Sequence, residues 1–200
     1  SLYYSNLEML SLASKCFKYA NFLTIHISED LRTREMELSL YGEKPVFLLD
    51  KFGLLSEKTI LVHGGYLDDD ELKLIYNKKA NIVVCPKSNC CLNTISVDIN
   101  RLNEIGKRCM IGTHGLLTGG LSLLEQIKII KEKYPNIKNT QLLDAITIYP
   151  AKLFNRVLYT GLITKGIKSS FVLVNDDFLN VEESLDKLFN CELEVIDLNI

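Results

Sequence analysis

The three histidines of the chain stand at equivalent points of three predicted strands. His26 ends the segment FLTIH, His63 ends TILVH, and His114 follows RCMIG after one further residue. The carboxyl ends of parallel strands meet at one edge of a sheet, and α/β proteins place ligands and chemistry there. Imidazole is the commonest metal-binding side chain and an acid–base group near neutral pH. A single histidine at a strand end is usually structural, but three at one edge favour a zinc-type catalytic site, with metal-free acid–base chemistry as the alternative.

Two polar segments lie beside these histidines in the sequence. Glu29 follows His26 by three residues, where a carboxylate that faces the site would move protons. The alternative is a solvated acid at a helix start, because Asp30 is its neighbour. Ser88 and Asn89 follow the third predicted strand, and their side chains are suited either to binding a polar ligand or to holding a turn. The local sequence does not separate these two readings.

Strand and helix patterns alternate along most of the chain. Continuous apolar runs predict strands at 22–25, 59–62, 81–84 and 108–111. Helical patterns occupy 5–20, a stretch ending at 41, then 46–52, 68–79, 98–106, 121–133 and 140–145, with long loops at 85–97 and 112–120. Strands that are apolar throughout are typical of parallel sheets buried on both faces. The pattern therefore predicts an α/β fold, either a doubly wound sheet or an (α/β) barrel.

The composition changes near Gly161. After it, 170–174 and 193–196 predict strands of a smaller β element, with a helix over 181–188 between them. We therefore divide the chain into a barrel portion at 1–160 and the start of a flanking β element at 161–200.

The composition excludes several classes of function. Hydrophobic residues make up 47% and charged residues 24%, which is typical of a globular protein rather than a disordered segment. A net charge of -2 gives no basic footprint for nucleic acid, and the apolar runs are too short to span a membrane. The N-terminus lacks a signal-peptide pattern, and six cysteines without Cys-x-x-Cys spacing predict reduced thiols. We expect a cytoplasmic protein.

Together these segments resemble the metal-dependent amidohydrolase superfamily, in the subgroup of chlorohydrolases and deaminases of amino-heterocycles. The resemblance covers nearly the whole chain and keeps the family's order. The matching segments are IHISED (25–30), YGEKPVFLLDKFGLLSEKTILVH (41–63), LDDDEL (67–72), NIVVCPKSNCCL (81–92), IGTHG (111–115), LSLLEQIK (121–128), LLDAITIYPAKLF (142–154) and GLITKG (161–166).

The resemblance implies the C-terminal part of a (β/α)8 TIM-type barrel, about strands four to eight, with a small flanking β element. It also implies a hydrolase that uses zinc, or another divalent transition metal such as iron. In such an enzyme a metal-activated water releases ammonia, or chloride, from a nitrogen heterocycle such as an aminopurine derivative. The expected partner is thus a small heterocyclic substrate.

The resemblance also implies roles for individual side chains. His26 matches a metal-binding histidine, Glu29 the glutamate that contacts the substrate ring and moves protons, and His63 the histidine that orients the attacking water. Ser88 and Asn89 match a loop that shapes the substrate pocket.

The chain departs from the family pattern in several places. The family's His-x-His pair and the first barrel strands are absent from the sequence. His114 stands where the family has the aspartate of a Gly-Thr-Asp motif, and this imidazole would ligate metal without bringing a negative charge. The segments 117–119 and 170–171 also differ from the family. A second hypothesis is therefore a non-catalytic relative that acts as a binding or scaffold module. We expect either form to associate with itself or with a separate N-terminal half.

Overall fold

A computed structural model of the chain describes residues 1–104, 109–156, 165–166, 172–175, 180–190 and 195–197. The chain divides into two compact units, Ser1–Cys109 and Met110–Ile200. The predicted boundary at 160/161, together with residues 170–171 and 193–194 of the predicted strands, lies outside the described residues. Within the described ranges, no helix has the length and apolar character needed to cross a membrane.

The first unit alternates helices and parallel strands after a short 3-10 helix, Leu2–Tyr4. Its elements are α1 (Leu7–Phe17), β1 (Leu23–Ile27), α2 (Leu31–Tyr41), α3 (Pro45–Lys51), β2 (Thr59–His63), α4 (Asp69–Asn77), β3 (Asn81–Val84), α5 (Pro86–Cys91) and α6 (Ile99–Glu104).

The parallel sheet of this unit is built around β2. Strand β1 pairs with β2 in parallel, with Leu23 opposite Thr59 and Ile27 opposite His63. Strand β3 pairs with the other edge of β2. Every residue of β2 is buried, because helices cover a sheet of this kind on both faces. The continuous apolar run at 59–62 therefore predicted this strand correctly, and the register brings the carboxyl ends of β1 and β2 together.

Capping side chains fix where the helices after β1 and β2 begin. Asp30 caps α2 and accepts hydrogen bonds from the Thr33 amide at 2.8 Å and from Thr33 Oγ1 at 2.6 Å. Burial acts to raise the pKa of Asp30, but these hydrogen bonds hold it below its ordinary value. Asp68 and Glu71 form a reciprocal capping box at the start of α4. Asp30, and not Glu29, is thus the acid that begins a helix.

The second unit contains β4 (Met110–Ile111), α7 (Leu116–Gly119), α8 (Leu123–Lys133), α9 (Asn139–Ile146), α10 (Ile148–Leu153), β5 (Val172–Val174), α11 (Val181–Phe189) and β6 (Val195–Asp197). Helix α11 packs against α8 and α9, with Phe189 fully buried. Strands β5 and β6 pair antiparallel.

The predicted loops at 85–97 and 112–120 were too long, since each contains a short helix, α5 and α7 respectively. Helix α5 begins with Pro86, whose fixed φ suits the first helical position. Its Ser, Asn and Cys residues have weak helix propensity, which explains why the sequence pattern favoured a loop. Helix α10 was not predicted because it contains Pro150. This proline occupies the third helical position, where an amide has no intrahelical acceptor.

Candidate active site

Two histidines meet at the carboxyl ends of β1 and β2. His26 is the penultimate residue of β1, and His63 ends β2. Their rings lie edge to face, with centroids 5.1 Å apart and planes at 86°. The His63 side chain is buried, whereas that of His26 is 39% exposed. The pair therefore has one ring within the protein and one ring at the surface of the unit.

The backbone at the end of β2 adopts an unusual conformation. His63 has a φ of 76° and Gly64 a φ of 74°, so two consecutive residues are left-handed. Such a conformation is unfavourable for a residue with a side chain, and strained residues of this kind concentrate at functional sites. The Gly64 amide donates to the Ile27 carbonyl at 2.9 Å, which ties the turn after β2 to the end of β1.

Glu29 lies between the two imidazoles. Its Oε1 is 3.3 Å from His63 Nε2, and its Oε2 is 3.8 Å from His26 Nδ1. The carboxylate is 23% exposed, so solvent or a small molecule can reach it. A partly shielded carboxylate between two imidazoles has the arrangement needed to pass protons.

The donor atoms of these three side chains suit a transition-metal ion. Imidazole nitrogen and carboxylate oxygen are the usual ligands of zinc at catalytic sites. Because His26 is half-exposed, an ion bound to it would remain accessible to a substrate. His26 therefore fits the predicted role of metal ligand chemically.

A buried ion pair contacts Ser28, the residue before Glu29. Ser28 is fully buried, with a φ of 45°, and its Oγ accepts a hydrogen bond from Arg34 Nη1 at 3.0 Å. Arg34 Nη2 in turn donates to Glu71 Oε2 at 2.7 Å. Sequence reasoning missed Arg34, because nothing in a polar helical stretch marks one arginine as buried. The spacing of Asp68 and Glu71 is a recognisable capping-box signal, but it does not reveal the arginine.

Ser88 and Asn89 lie in α5, immediately after β3, and both are buried. Asn89 Nδ2 donates to Thr94 Oγ1 at 2.8 Å and to the Ile95 carbonyl at 3.2 Å. Its Oδ1 accepts from Ser96 Oγ at 3.0 Å. The Asn89 amide therefore holds the segment 94–96, which is the turn-holding alternative; a contact with substrate stays a prediction.

The segment held by Asn89 approaches the turn after His63 very closely. A Cβ added at Gly65 would lie 2.0 Å from the Ile95 carbonyl oxygen. Only a residue without a side chain fits there. Gly65 was not singled out from the sequence, because the requirement comes from a residue 30 positions further along the chain.

His114 lies in the second unit, three residues beyond Ile111 at the end of β4, and is exposed. Its φ is 65°, and its Nδ1 lies 3.2 Å from Thr118 Oγ1. A Cβ at Gly119 would lie 1.5 Å from the Thr113 carbonyl oxygen, so this turn also depends on a glycine. The position after a strand agrees with the sequence pattern, and the role of His114 as a ligand stays a prediction.

Comparison with known proteins identifies the family to which the chain belongs. The model of the amidohydrolase family matches residues 3–194, which is almost the whole chain. The chain therefore belongs to the amidohydrolase family, and the resemblance predicted from its motifs is confirmed.

The chain is similar to one curated deaminase in sequence and to two solved zinc enzymes in structure. The 5-methylthioadenosine/S-adenosylhomocysteine deaminase of Pyrococcus furiosus is 31% identical over 86% of this chain and 43% of its own length. A zinc-bound adenosine deaminase from Xanthomonas campestris superposes with a TM-score of 0.80 at 20% identity, over 90% of this chain and 44% of its own. Atrazine chlorohydrolase from Arthrobacter aurescens, solved with zinc, superposes with a TM-score of 0.70 at 21% identity, over 82% and 38%.

These structural likenesses establish the fold. The predicted fold class, α/β with part of a (β/α)8 barrel, is confirmed. The chain spans less than half the length of the curated relative it matches.

Proposed function

We propose that this protein is a zinc-dependent hydrolase that deaminates a nitrogen heterocycle such as an aminopurine derivative. The observation that carries the proposal is the Glu29 carboxylate, which lies within 3.3 Å of His63 and 3.8 Å of His26 at the ends of adjacent parallel strands. The family of the chain and its deaminase relative support the same reaction class.

His26 and His114 would hold the metal ion. His26 lies near the carboxyl end of β1 and His114 follows β4, and their imidazole nitrogens suit zinc or a similar divalent ion such as iron. When bound, the ion supplies an activated water as nucleophile. His114 brings no carboxylate oxygen to act as a base, so the proton chemistry falls to the residues around Glu29.

Glu29 would carry the protons of the reaction. Deamination needs one proton at the ring nitrogen beside the attacked carbon and another on the departing amine. A carboxylate accounts for both protons if it takes one from the attacking water and gives it to the ring nitrogen, and then moves the second from the new hydroxyl group to the amine. The carbon–nitrogen bond then breaks and the amine leaves as ammonia. His63 would orient Glu29 and the nucleophile, because it is buried and its Nε2 faces Glu29 Oε1.

Ser88 and Asn89 would shape the substrate pocket from α5. The Asn89 amide acts through the segment 94–96, which it holds against Gly65 two residues after His63. The selectivity of the enzyme between an amino and a chloro leaving group would then depend on the segment 94–96. The likeness to the chlorohydrolase concerns the fold, so we favour an amino group as the leaving group.

Three further expectations remain proposals. They are a cytoplasmic location, association with a second copy or with a separate N-terminal half, and a flanking β element beginning near Gly161. The alternative function, a non-catalytic binding module, is favoured by the histidine at position 114 in place of the family's aspartate.

Zinc content and ammonia release distinguish the two functions. We expect about one zinc per chain after loosely bound ions are removed. We also expect ammonia release from at least one of 5-methylthioadenosine, S-adenosylhomocysteine, adenosine or guanine. Glu29→Gln should abolish turnover and keep the zinc, whereas Glu35→Gln, at an exposed position of α2, should leave both unchanged. A chain that retains no zinc and releases no ammonia is the result expected of the binding module.

A further inference from the structure

The Arg34–Glu71 pair is a deeply buried ion pair of the first unit. The Glu71 side chain is fully buried and that of Arg34 is 10% exposed. Arg34 Nη1 lies 3.3 Å from Glu71 Oε1 and Nη2 lies 2.7 Å from Oε2, which is the two-pronged geometry of an arginine on a carboxylate. Residues 34 and 71 belong to α2 and α4, so the pair joins the helix after β1 to the helix after β2.

Glu71 is itself held in place by the backbone. Its Oε2 accepts from the Asp68 amide at 3.2 Å and its Oε1 from the Val46 amide at 3.4 Å. Asp68 adds a weaker contact to the arginine, with Oδ2 3.6 Å from Nη2. The carboxylate is thus a fixed anchor, and the guanidinium that it holds is fixed as well.

Stability alone is a poor explanation for this pair. Burying two charges costs about as much free energy as their attraction returns, and apolar replacements of both partners are often neutral. What a fixed guanidinium does provide is a donor with a defined position. Its Nη1 has a second acceptor besides Glu71, namely Ser28 Oγ at 3.0 Å.

A hydrogen-bond donor at this position stabilises Ser28, whose backbone conformation is energetically unfavourable. Its φ of 45° lies in the left-handed region, which a residue with a side chain rarely adopts. Arg34 holds the Ser28 side chain, and the Tyr66 amide holds the Ser28 carbonyl at 3.4 Å. The direction of the chain at Ser28 decides where the next residue points, and that residue is Glu29.

We propose that Arg34 is a positioning residue for Glu29. Its guanidinium, anchored on Glu71, holds Ser28 in the left-handed conformation that sets the Glu29 carboxylate between His26 and His63. The catalytic consequence rests on the function proposed above; the positioning itself does not.

The test replaces the whole pair, because a single replacement leaves a buried charge. Arg34→Met keeps the aliphatic stem, and Glu71→Gln keeps a side chain suited to the capping box. The matched control is Arg101→Met with Asp69→Asn, which removes a more exposed Arg–Asp pair between Asp69 of α4 and Arg101 of α6. Thermal unfolding of the full chain identifies any variant that has simply lost its fold.

Amide hydrogen exchange measures how well the hydrogen bonds between the turn after His63 and the residues Ile27 and Ser28 are kept. The measurement needs no enzymatic activity. The Gly64 and Tyr66 amides bond to the carbonyls of Ile27 and Ser28, whereas the Leu23 amide bonds at the opposite end of β1. In the double variant at positions 34 and 71 we expect the Gly64 and Tyr66 amides to exchange about tenfold faster, as after loss of one charge-assisted hydrogen bond. The Leu23 amide and the midpoint of unfolding should stay as in the control. Unchanged exchange at Gly64 and Tyr66 would overturn the proposal.

Turnover gives the second readout. We expect kcat to fall about tenfold to a hundredfold, as for a displaced catalytic group, with zinc content and KM as in the control. Faster exchange with an unaltered kcat would show that Glu29 keeps its place without Arg34 and would also overturn the proposal. If the unmodified chain releases no ammonia, the proposed function fails, and the exchange rates alone decide whether Arg34 fixes the turn.

Discussion

Replacing Gly65 with alanine tests how the segment held by Asn89 is packed against the turn after His63. The new Cβ would lie 2.0 Å from the Ile95 carbonyl oxygen and 2.8 Å from both the Ile95 carbonyl carbon and its Cγ1. Backbone atoms cannot turn aside as the end of a flexible side chain can. The segment 94–96 must therefore move by about 1 Å or more to restore ordinary contact distances.

Two contributions determine the expected loss of stability in Gly65→Ala. Overpacking of this kind typically costs about 1–3 kcal/mol. The shift also strains the hydrogen bonds of Asn89 to Thr94, Ile95 and Ser96, each worth about 0.5–1.5 kcal/mol. We expect Gly65→Ala to lower the free energy of unfolding by about 2–4 kcal/mol.

Urea denaturation of the full chain measures this change. Gly115→Ala is the matched control, because a Cβ there meets no atom within 4 Å. Its effect should stay within a few tenths of a kcal/mol, as for most substitutions without a steric cause. A loss below about 0.5 kcal/mol for Gly65→Ala would refute the close packing of 94–96 on Gly65.

Three other experiments test separate parts of the structure. His114→Ala should lower zinc affinity sharply in a competition titration with a chelator, and unchanged affinity would remove His114 as a ligand. Arg34→Met alone should destabilise the chain by about 3–5 kcal/mol, because it leaves Glu71 charged and buried, whereas adding Glu71→Gln should recover most of that loss in urea denaturation. Asp30→Asn should cost about 0.3–1 kcal/mol near neutral pH, because asparagine still caps α2 but the charge at the helix N-terminus is lost. The pKa of Asp30 is lowered by folding, so its stabilisation is present above its ordinary pKa of 3.8 and is lost as the pH falls through the lower folded value. Unfolding curves of the two proteins should thus converge at low pH, and a constant difference would contradict this origin.

The positions of most elements could be predicted from local pattern. Apolar runs and helical spacing placed β1 to β4 and most of the helices within a few residues, because burial imposes a period on each element separately. The short helices α5, α7 and α10 were not predicted, since contacts with neighbouring segments stabilise them and the helix propensity of their residues does not. Residues that begin or end an element were predictable only where a cap such as Asp68 marks them.

The candidate site was predictable in part. The histidines at strand ends and Glu29 followed from topology and from the resemblance, because parallel strands must finish at one edge. The sequence left open whether Glu29 or its neighbour Asp30 begins the helix. Side-chain contacts decided this, with Asp30 bonded to Thr33 and Glu29 placed beside His63.

The sequence by itself determined the family, the order of strands and helices, and which residue types stand at the strand ends. These properties depend on residues close together in the chain. Only the tertiary structure decided that Arg34 meets Glu71, that Gly65 meets Ile95, and that Ser28 and His63 adopt left-handed backbone. Those contacts join residues about 30 or more positions apart, and they depend on how whole elements pack. Local periodicity carries no information about such pairings, so the conformation that fixes Glu29 could be read only from the folded chain.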